Sequence, residues 1–433
     1  MTSHALTTVR LPLAIACLIA LLAPAAHAQD PAPQGVRIGL TYSSGTRPGL
    51  YILPMQGPDA DSIKAIISRD LDYGDRITVI APDSGQPTVG TLNYPLFARL
   101  GAAAILQVTP SAGGTLRLVL HEVAAARVLQ SADLPLRGAP LSPEWRMSLH
   151  GIADEIERWV TGARGVSATR ILFTREGTLW QVDADGANAQ RVPGVVSGLD
   201  PAWHPSGQQM AYMEMLDDGT HVVLRDIESG RSRRVSSTGG TNMSPAFSPD
   251  GKTMVYASGE DGVDLFALPV EGSDRRIRIT VGGSTNAQPS FSPDGRRIAF
   301  TSFRLGRPEI YITDADGTNA ELLTTSGFGD QLYRSDPSWS PDGRFVAFST
   351  QIEGRFQIAT ISLRDRSVKQ HTIDAVNEDP SWAPDARHLV FTSSRSGSKQ
   401  LWVLDTESGR MRQLTRGPAA RMAAWSPRLV ITR

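Results

Sequence analysis

Few residues of this sequence are spaced for chemistry. Six of its eight histidines follow residue 28, namely His121, His150, His204, His221, His371 and His388. None stands at metal-ligand spacing from another. The tetrads at 183–186 and 314–317, both Asp-Ala-Asp-Gly, begin like a calcium loop but lack its later ligands and its distal glutamate. They read as hairpin turns. An α/β-hydrolase needs a strand–G-x-S-x-G–helix elbow with a later Asp and His, and no G-x-S-x-G occurs. The single cysteine, Cys17, lies near the start, so disulfide and thiolate chemistry are not expected in the body of the chain. These residues lead to an expectation of no enzyme, no metal and no cofactor.

What recurs is a turn. "DPAWHPSG" from Asp200 is followed by "SPAFSPDG" from Ser244, "QPSFSPDG" from Gln288, "DPSWSPDG" from Asp336 and "DPSWAPDA" from Asp379, and a shortened "MAAWSP" starts at Met422. The starts are 44, 44, 48, 43 and 43 residues apart. Periods of about 40–50 residues mark stacked supersecondary units or propeller blades. Pro-Asp-Gly presets a turn, and β-rich runs such as "RIAFTS" and "EIYITDA", a polar tip and a last short run follow it. Four strands per repeat in a meander make a propeller blade. Residues 170–192 supply later strands without an octet, and Met422–Pro427 supplies an octet without later strands. Pairing the two fragments gives six blades and a closed ring without exposed sheet edges. Trp203, Phe247, Phe291, Trp339, Trp382 and Trp425 are expected to pack between blades.

Residues 36–162 differ in texture, with strand-like runs ("VRIGL", "LYILPM", "RITVIAP") between helical ones. Ile63, Ile66, Ile67 and Leu71 share one helix face, and Trp145, Leu149, Ile152, Ile156 and Trp159 share another. Ser142 and Pro143 stand as N-cap and first residue of that second helix. The fold class expected is an α/β N-terminal domain followed by an all-β six-bladed β-propeller. Residues 1–28 read as a signal peptide, with a short apolar run and Ala26-His27-Ala28 as cleavage site. Residues 29–35 form a Pro-rich flexible segment, 36–162 the α/β domain, 163–169 a linker, and 170–433 the propeller closed by its C-terminal strand. The formal net charge of −1 over 433 residues offers no basic excess for nucleic acid. An exported, periplasmic chain is expected.

Signal peptide, small α/β domain and a propeller of W/F-S-P-D-G repeats ending in "AWSP" together resemble the TolB family of the periplasmic Tol-Pal system. The resemblance implies a non-enzymatic, monomeric protein that binds a Pal-like peptidoglycan-associated lipoprotein through its propeller. It also implies a TolA-like inner-membrane partner for the mature N-terminus, and a role in outer-membrane integrity and cell division. The segments before the octets ring one mouth of the central channel, and family Pal contacts fall there. Thr241, Asn242, Ser244, Asn286, Ala287, Arg334, Glu378 and Arg421 are the partner-binding candidates, with Arg334 and Arg421 facing Asp200, Asp336, Glu378 and Asp379. Thr241 matches a histidine of the family and Ala287 a threonine. The alternative is a propeller hydrolase or small-ligand binder that uses the channel.

Overall fold

The computed structural model describes residues 46–81, 92–111, 113–236, 240–259, 262–272, 275–324 and 333–429. The signal peptide, residues 29–35 and the "VRIGL" strand expected from sequence lie outside this set.

The first domain is a five-stranded sheet. Its strands are β1 (Gly49–Ile52), β2 (Thr78–Ile80), β3 (Ala104–Ser111), β4 (Thr115–Glu122) and β5 (Arg127–Pro135), ordered β2-β1-β3-β4-β5. β1 runs parallel to both neighbours, and the rest of the sheet is antiparallel. Two long helices, α1 (Ala60–Tyr73) and α3 (Pro143–Thr161), with the short α2 (Tyr94–Arg99) between them in the chain, bury the two stripes read from sequence in a single core with Leu106, Leu118 and Leu120. The Ser142 hydroxyl caps α3 by accepting from the Trp145 amide at 3.2 Å. The helix stops at Gly162, whose φ of +79° suits glycine.

The remaining described residues form six four-stranded sheets. Blades 1 to 5 span 199–234, 241–278, 286–322, 334–370 and 377–413. Blade 6 joins 170–191 to the strand Ala420–Trp425, which pairs antiparallel with Arg170–Arg175. The octet aromatics wedge between blades: Trp425 packs with blade 5 residues Val390 and Val403, and Trp382 with Ala347 and Ile358 of blade 4. The Trp382 indole N–H also donates across the gap to Ser338 O at 3.0 Å.

Each position of the octet has a physical cause. Its first residue takes a left-handed conformation in all six blades: Asp200, Ser244, Gln288, Asp336, Asp379 and Met422 have φ between 49° and 56°. The ladder to the second strand slips there, between Met243 and Ala246 in blade 2 and at the matching place in the others. In blades 1 to 5 this β-bulge accommodates the following proline, which has no N–H for the ladder; blade 6 keeps the bulge before Ala423. Further on, the Ser248 hydroxyl donates to Asp250 Oδ1 at 2.6 Å and accepts from the Thr253 amide at 3.0 Å, while Asp250 Oδ1 accepts from the Lys252 amide. Ser292–Asp294 and Ser340–Asp342 repeat the arrangement. The closing glycines Gly251, Gly295 and Gly343 sit at φ 71–75°.

Blade 5 puts Ala386 at that last position, with φ 55°. An L-residue in this region costs about 1–2 kcal/mol, which exceeds the added unfolded-state entropy of a glycine, about 0.5–1 kcal/mol. Ala386→Gly is therefore expected to stabilise the protein by about 0.5–1 kcal/mol. A raised urea midpoint checks this, and a lowered midpoint would show that Ala386 is unstrained.

Candidate partner face and domain junction

The antiparallel course of each blade puts two sets of loops on one face: the segments before the octets, and the hairpins between second and third strands. The candidates read from sequence divide by burial on this face. Arg421 is exposed, and Thr241 and Glu378 are half-buried, with Glu378 bound to Lys399 at 2.5 Å. Asn242 and Asn286 are 0 % exposed, and Ser244, Ala287 and Arg334 are also buried. Asn242, Asn286 and Arg334 all stand two residues before an octet, where the strand turns its side chains into the blade. Arg334 does not face Asp336 as expected; its guanidinium lies 3.0 Å from Glu309, itself buried.

Asn286 and Arg334 belong to a polar buckle that recurs under the rim. In blade 2 the Thr280 hydroxyl donates to Asp264 and accepts from the Leu265 amide, and Asn286 of the next blade donates to Asp264 at 3.0 Å. Thr324–Glu309, Thr372–Gln357 and Thr415–Gln400 repeat the contact. Thr280, Thr324, Thr372 and Thr415 each stand 36 residues after the start of their octet, as does Ser236. That spacing was a signal in the sequence that the reading above missed. In blade 1 the buckle looks like a catalytic triad: His221 Nε2 lies 2.8 Å from Asp218, and Nδ1 lies 3.3 Å from the Ser236 hydroxyl. Ser236 Oγ is buried and accepts from the Val222 amide. It holds the third strand as its threonine counterparts do and is not presented to a substrate.

The bulged residues line the channel. Asp200, Ser244, Gln288, Asp336, Asp379 and Met422, with the five prolines that follow the first five and Ala423 after the sixth, surround a cavity of about 160 Å³. Gln288 donates to Asp336 and accepts from the Asp336 amide at 3.2 Å and the Thr301 hydroxyl at 2.7 Å. Asp379 accepts from Thr392 and from the Met422 amide, so side chains link neighbouring blades around the pore. Burial pushes the Asp200 carboxyl up to about 6. Asp336 and Asp379 are raised for the same reason, each further by the charge of other channel carboxylates.

Thirteen large hydrophobic side chains are exposed among the described residues, and eight of them lie on this face: Val196, Met215, Leu216, Val281, Phe303, Leu305, Tyr333 and Ile373. Between them, guanidiniums lie over blade aromatics, Arg304 over Tyr311 at 4.3 Å and Arg395 over Trp402 at 4.9 Å. Apolar groups with flat, weakly hydrated cations are the composition of a protein-binding patch. None of these eight residues is among the candidates read from sequence, because they sit singly in loops.

The opposite face of blades 5 and 6 carries the α/β domain on ion pairs. Arg76 bonds Glu157 of α3 and Asp385 of blade 5 at 3.0 and 3.1 Å. Arg410 of blade 5 reaches Asp72 and Asp75, and Arg412 lies over the Tyr73 ring at 4.3 Å. Asp185, in the tetrad read as a turn, bonds Arg69 of α1 and Arg146 of α3. Asp70, His150 and Asp185 cluster there with ligand-type atoms within 4.8 Å of one another. The two carboxylates lie at opposite nitrogens of the ring, and two arginines already occupy Asp185; that geometry does not suit a metal ion. Asp154 of α3 fastens the start of the propeller by accepting from the Ser167 and Ala168 amides at 2.7 and 3.0 Å.

No helix among the described residues is long and apolar enough to cross a membrane. Comparison with known proteins agrees with the architecture. A Tol-Pal system protein TolB of Polaromonas naphthalenivorans is 30% identical over 242 residues, 52% of this chain and 54% of that protein. One of Xanthomonas campestris is 31% identical over 251 residues, 53% of this chain and 55% of its own length. The matches thus span about half the length of these curated relatives. The crystal structure of TolB from Acinetobacter baumannii superposes with a TM-score of 0.77 at 23% identity, covering 88% of this chain and 97% of that one. The family described as the TolB beta propeller domain matches residues 157–429, more than half of the sequence, and the chain belongs to that family.

Proposed function

We propose that this chain is the propeller component of a Tol-Pal envelope system and that it holds a Pal-like peptidoglycan-associated lipoprotein on the face of the pre-octet segments. The observation that carries the reading is the gathering of exposed apolar side chains on that face, with the α/β domain docked on the other. The names of the relatives support the system. A TolA-like inner-membrane protein engages the N-terminal segment 29–35, the protein acts as a monomer in the periplasm, and it serves outer-membrane integrity and cell division without catalysing a reaction. Thr241, Glu378 and Arg421 contact the lipoprotein directly. Asn242, Ser244, Asn286, Ala287 and Arg334 act from beneath by holding the rim in shape.

Affinity capture from an envelope extract tests this reading. A Pal-like lipoprotein should be recovered with the wild-type chain and lost with Phe303→Asp/Leu305→Asp, which places charge in the apolar patch without touching the core. Central interface residues are worth about 2 kcal/mol or more each, so binding should weaken at least about 30-fold. Unchanged binding by the folded double variant would remove this face from the interface. Hydrolysis of peptides or esters by pure protein would overturn the non-enzymatic reading.

A further inference from the structure

The domain junction encloses a histidine that water does not reach. His150 on α3 is 0 % exposed. Its Nδ1 lies 2.6 Å from Asp70 Oδ2 on α1, and its Nε2 lies 3.8 Å from Asp185 Oδ2 on blade 6. Among the described residues Nε2 has no hydrogen-bond partner, and neither has Asp70 Oδ1. A neutral ring that donates from Nδ1 to Asp70 turns a lone pair at Nε2 toward a carboxylate. A protonated ring donates at both ends, and the 3.8 Å gap then closes with a small shift of either side chain.

We propose that His150 is a proton-operated clasp between the two domains: as imidazolium it joins Asp70 of the α/β domain to Asp185 of the propeller, and as neutral imidazole it lets Asp185 go. The charged groups around it are Asp70 from α1 and Asp183 and Asp185 from blade 6, with Arg69 from α1, Arg146 and Asp154 from its own helix and Arg412 from blade 5 acting on those carboxylates. Burial works against a charged ring, but the hydrogen bond to Asp70 and the charges of Asp70, Asp185 and Asp183 outweigh it and raise the His150 pKa. A histidine raised in the folded protein contributes its full stabilisation below the unfolded value of about 6.5, and loses it as pH rises through the folded value. The clasp therefore holds in acid and opens on the alkaline side. Proton loss there leaves Asp185 to its two arginines, and the α/β domain stays tethered through Arg76 and Arg410, so the expected motion is a loosening, not a separation.

The test uses the full chain in a Cys17→Ser background. Histidine 13C NMR reads the midpoint of His150, expected above the ordinary value of about 6.5. Spin labels at Arg99→Cys, on the α/β domain, and Glu228→Cys, on blade 1, report the distance between the domains from about pH 6 to about pH 9. The distance distribution should broaden across the same midpoint in wild type and in His371→Gln, which alters a histidine bonded to Thr360 of blade 4, outside the junction. In His150→Gln it should stay broad and pH-independent. A His150 midpoint at or below the ordinary value, no broadening in wild type, or broadening that persists in His150→Gln would overturn the clasp. The wild-type titration decides the matter alone if the glutamine variant does not fold.

Discussion

Deletion of residues 422–433 is expected to unfold the propeller, not merely trim it. The strand Ala420–Trp425 is the inner strand of blade 6, whose other three strands lie more than two hundred residues earlier in the chain. Its loss removes the buried Trp425 side chain, whose indole donates to Thr169 at 2.8 Å. It also removes the pair of bonds between Ser426 and Arg170 and the acceptor at Ala424 for the Trp203 indole. Truncating one large core aromatic costs about 3–5 kcal/mol, and here two sheet edges open as well. The loss should approach the whole stability of an ordinary domain, about 5–15 kcal/mol. Removal of 29–35 should cost almost nothing by comparison. Urea unfolding followed by circular dichroism measures both, and a 422–433 deletion that melts like wild type would show that the ring does not depend on this pairing.

Asp385→Ala should be nearly as damaging, and its effect should depend on pH. Asp385 is 2 % exposed. It accepts from Arg76 at 3.1 Å, from the His388 ring at 2.8 Å, and from the Arg387 and His388 amides. Removing one member of a buried ionic group costs about 3–5 kcal/mol, because the partner charge stays buried. Arg76 would then be left with Glu157, its other partner among the described residues, at the joint between α3 and blade 5. Burial alone would raise the Asp385 carboxyl, but His388 and Arg76 beside it hold it far below the usual carboxylate range. A depressed carboxylate contributes stability above its unfolded value of about 3.9 and loses it as pH falls through the folded value. Wild type and Asp385→Asn should therefore differ most near neutral pH and converge in acid. A gap between them that stays constant down to about pH 3 would mean that the Asp385 charge contributes nothing.

The propeller was legible because its signals are local. A proline that cannot join the ladder, a glycine or alanine forced to positive φ and an aromatic between blades each act within eight residues, so their recurrence at nearly constant spacing was visible in the linear sequence. The helix stripes and the Ser142 cap were legible for the same reason. The rim was harder. Asn242 and Arg334 look like surface residues until their partners are known, and those partners, Ser258 and Glu309, sit 16 and 25 residues away on other strands. Burial there follows from strand direction across a bulge, which polarity alone does not show. The domain junction was not legible at all. Asp185 in a turn, Arg69 and Arg146 on helices, and an isolated His150 carry no mutual spacing, and only the docking of two folded domains brings them together.

The left-handed bulge at the head of each octet separates shape from chemistry in the pore. The backbone makes the bulge in every blade, whether the residue there is aspartate, serine, glutamine or methionine. Met422 brings no polar group that could cap a turn, and its φ of 54° matches that of its neighbours. Identity at these six positions is therefore free to vary while the ring keeps its geometry. The present lining, with carboxylates in blades 1, 4 and 5 and uncharged side chains in blades 2, 3 and 6, is one setting among many that the same scaffold can hold. Two proteins of this architecture could thus share every blade contact and still offer a partner or an ion channels of opposite charge.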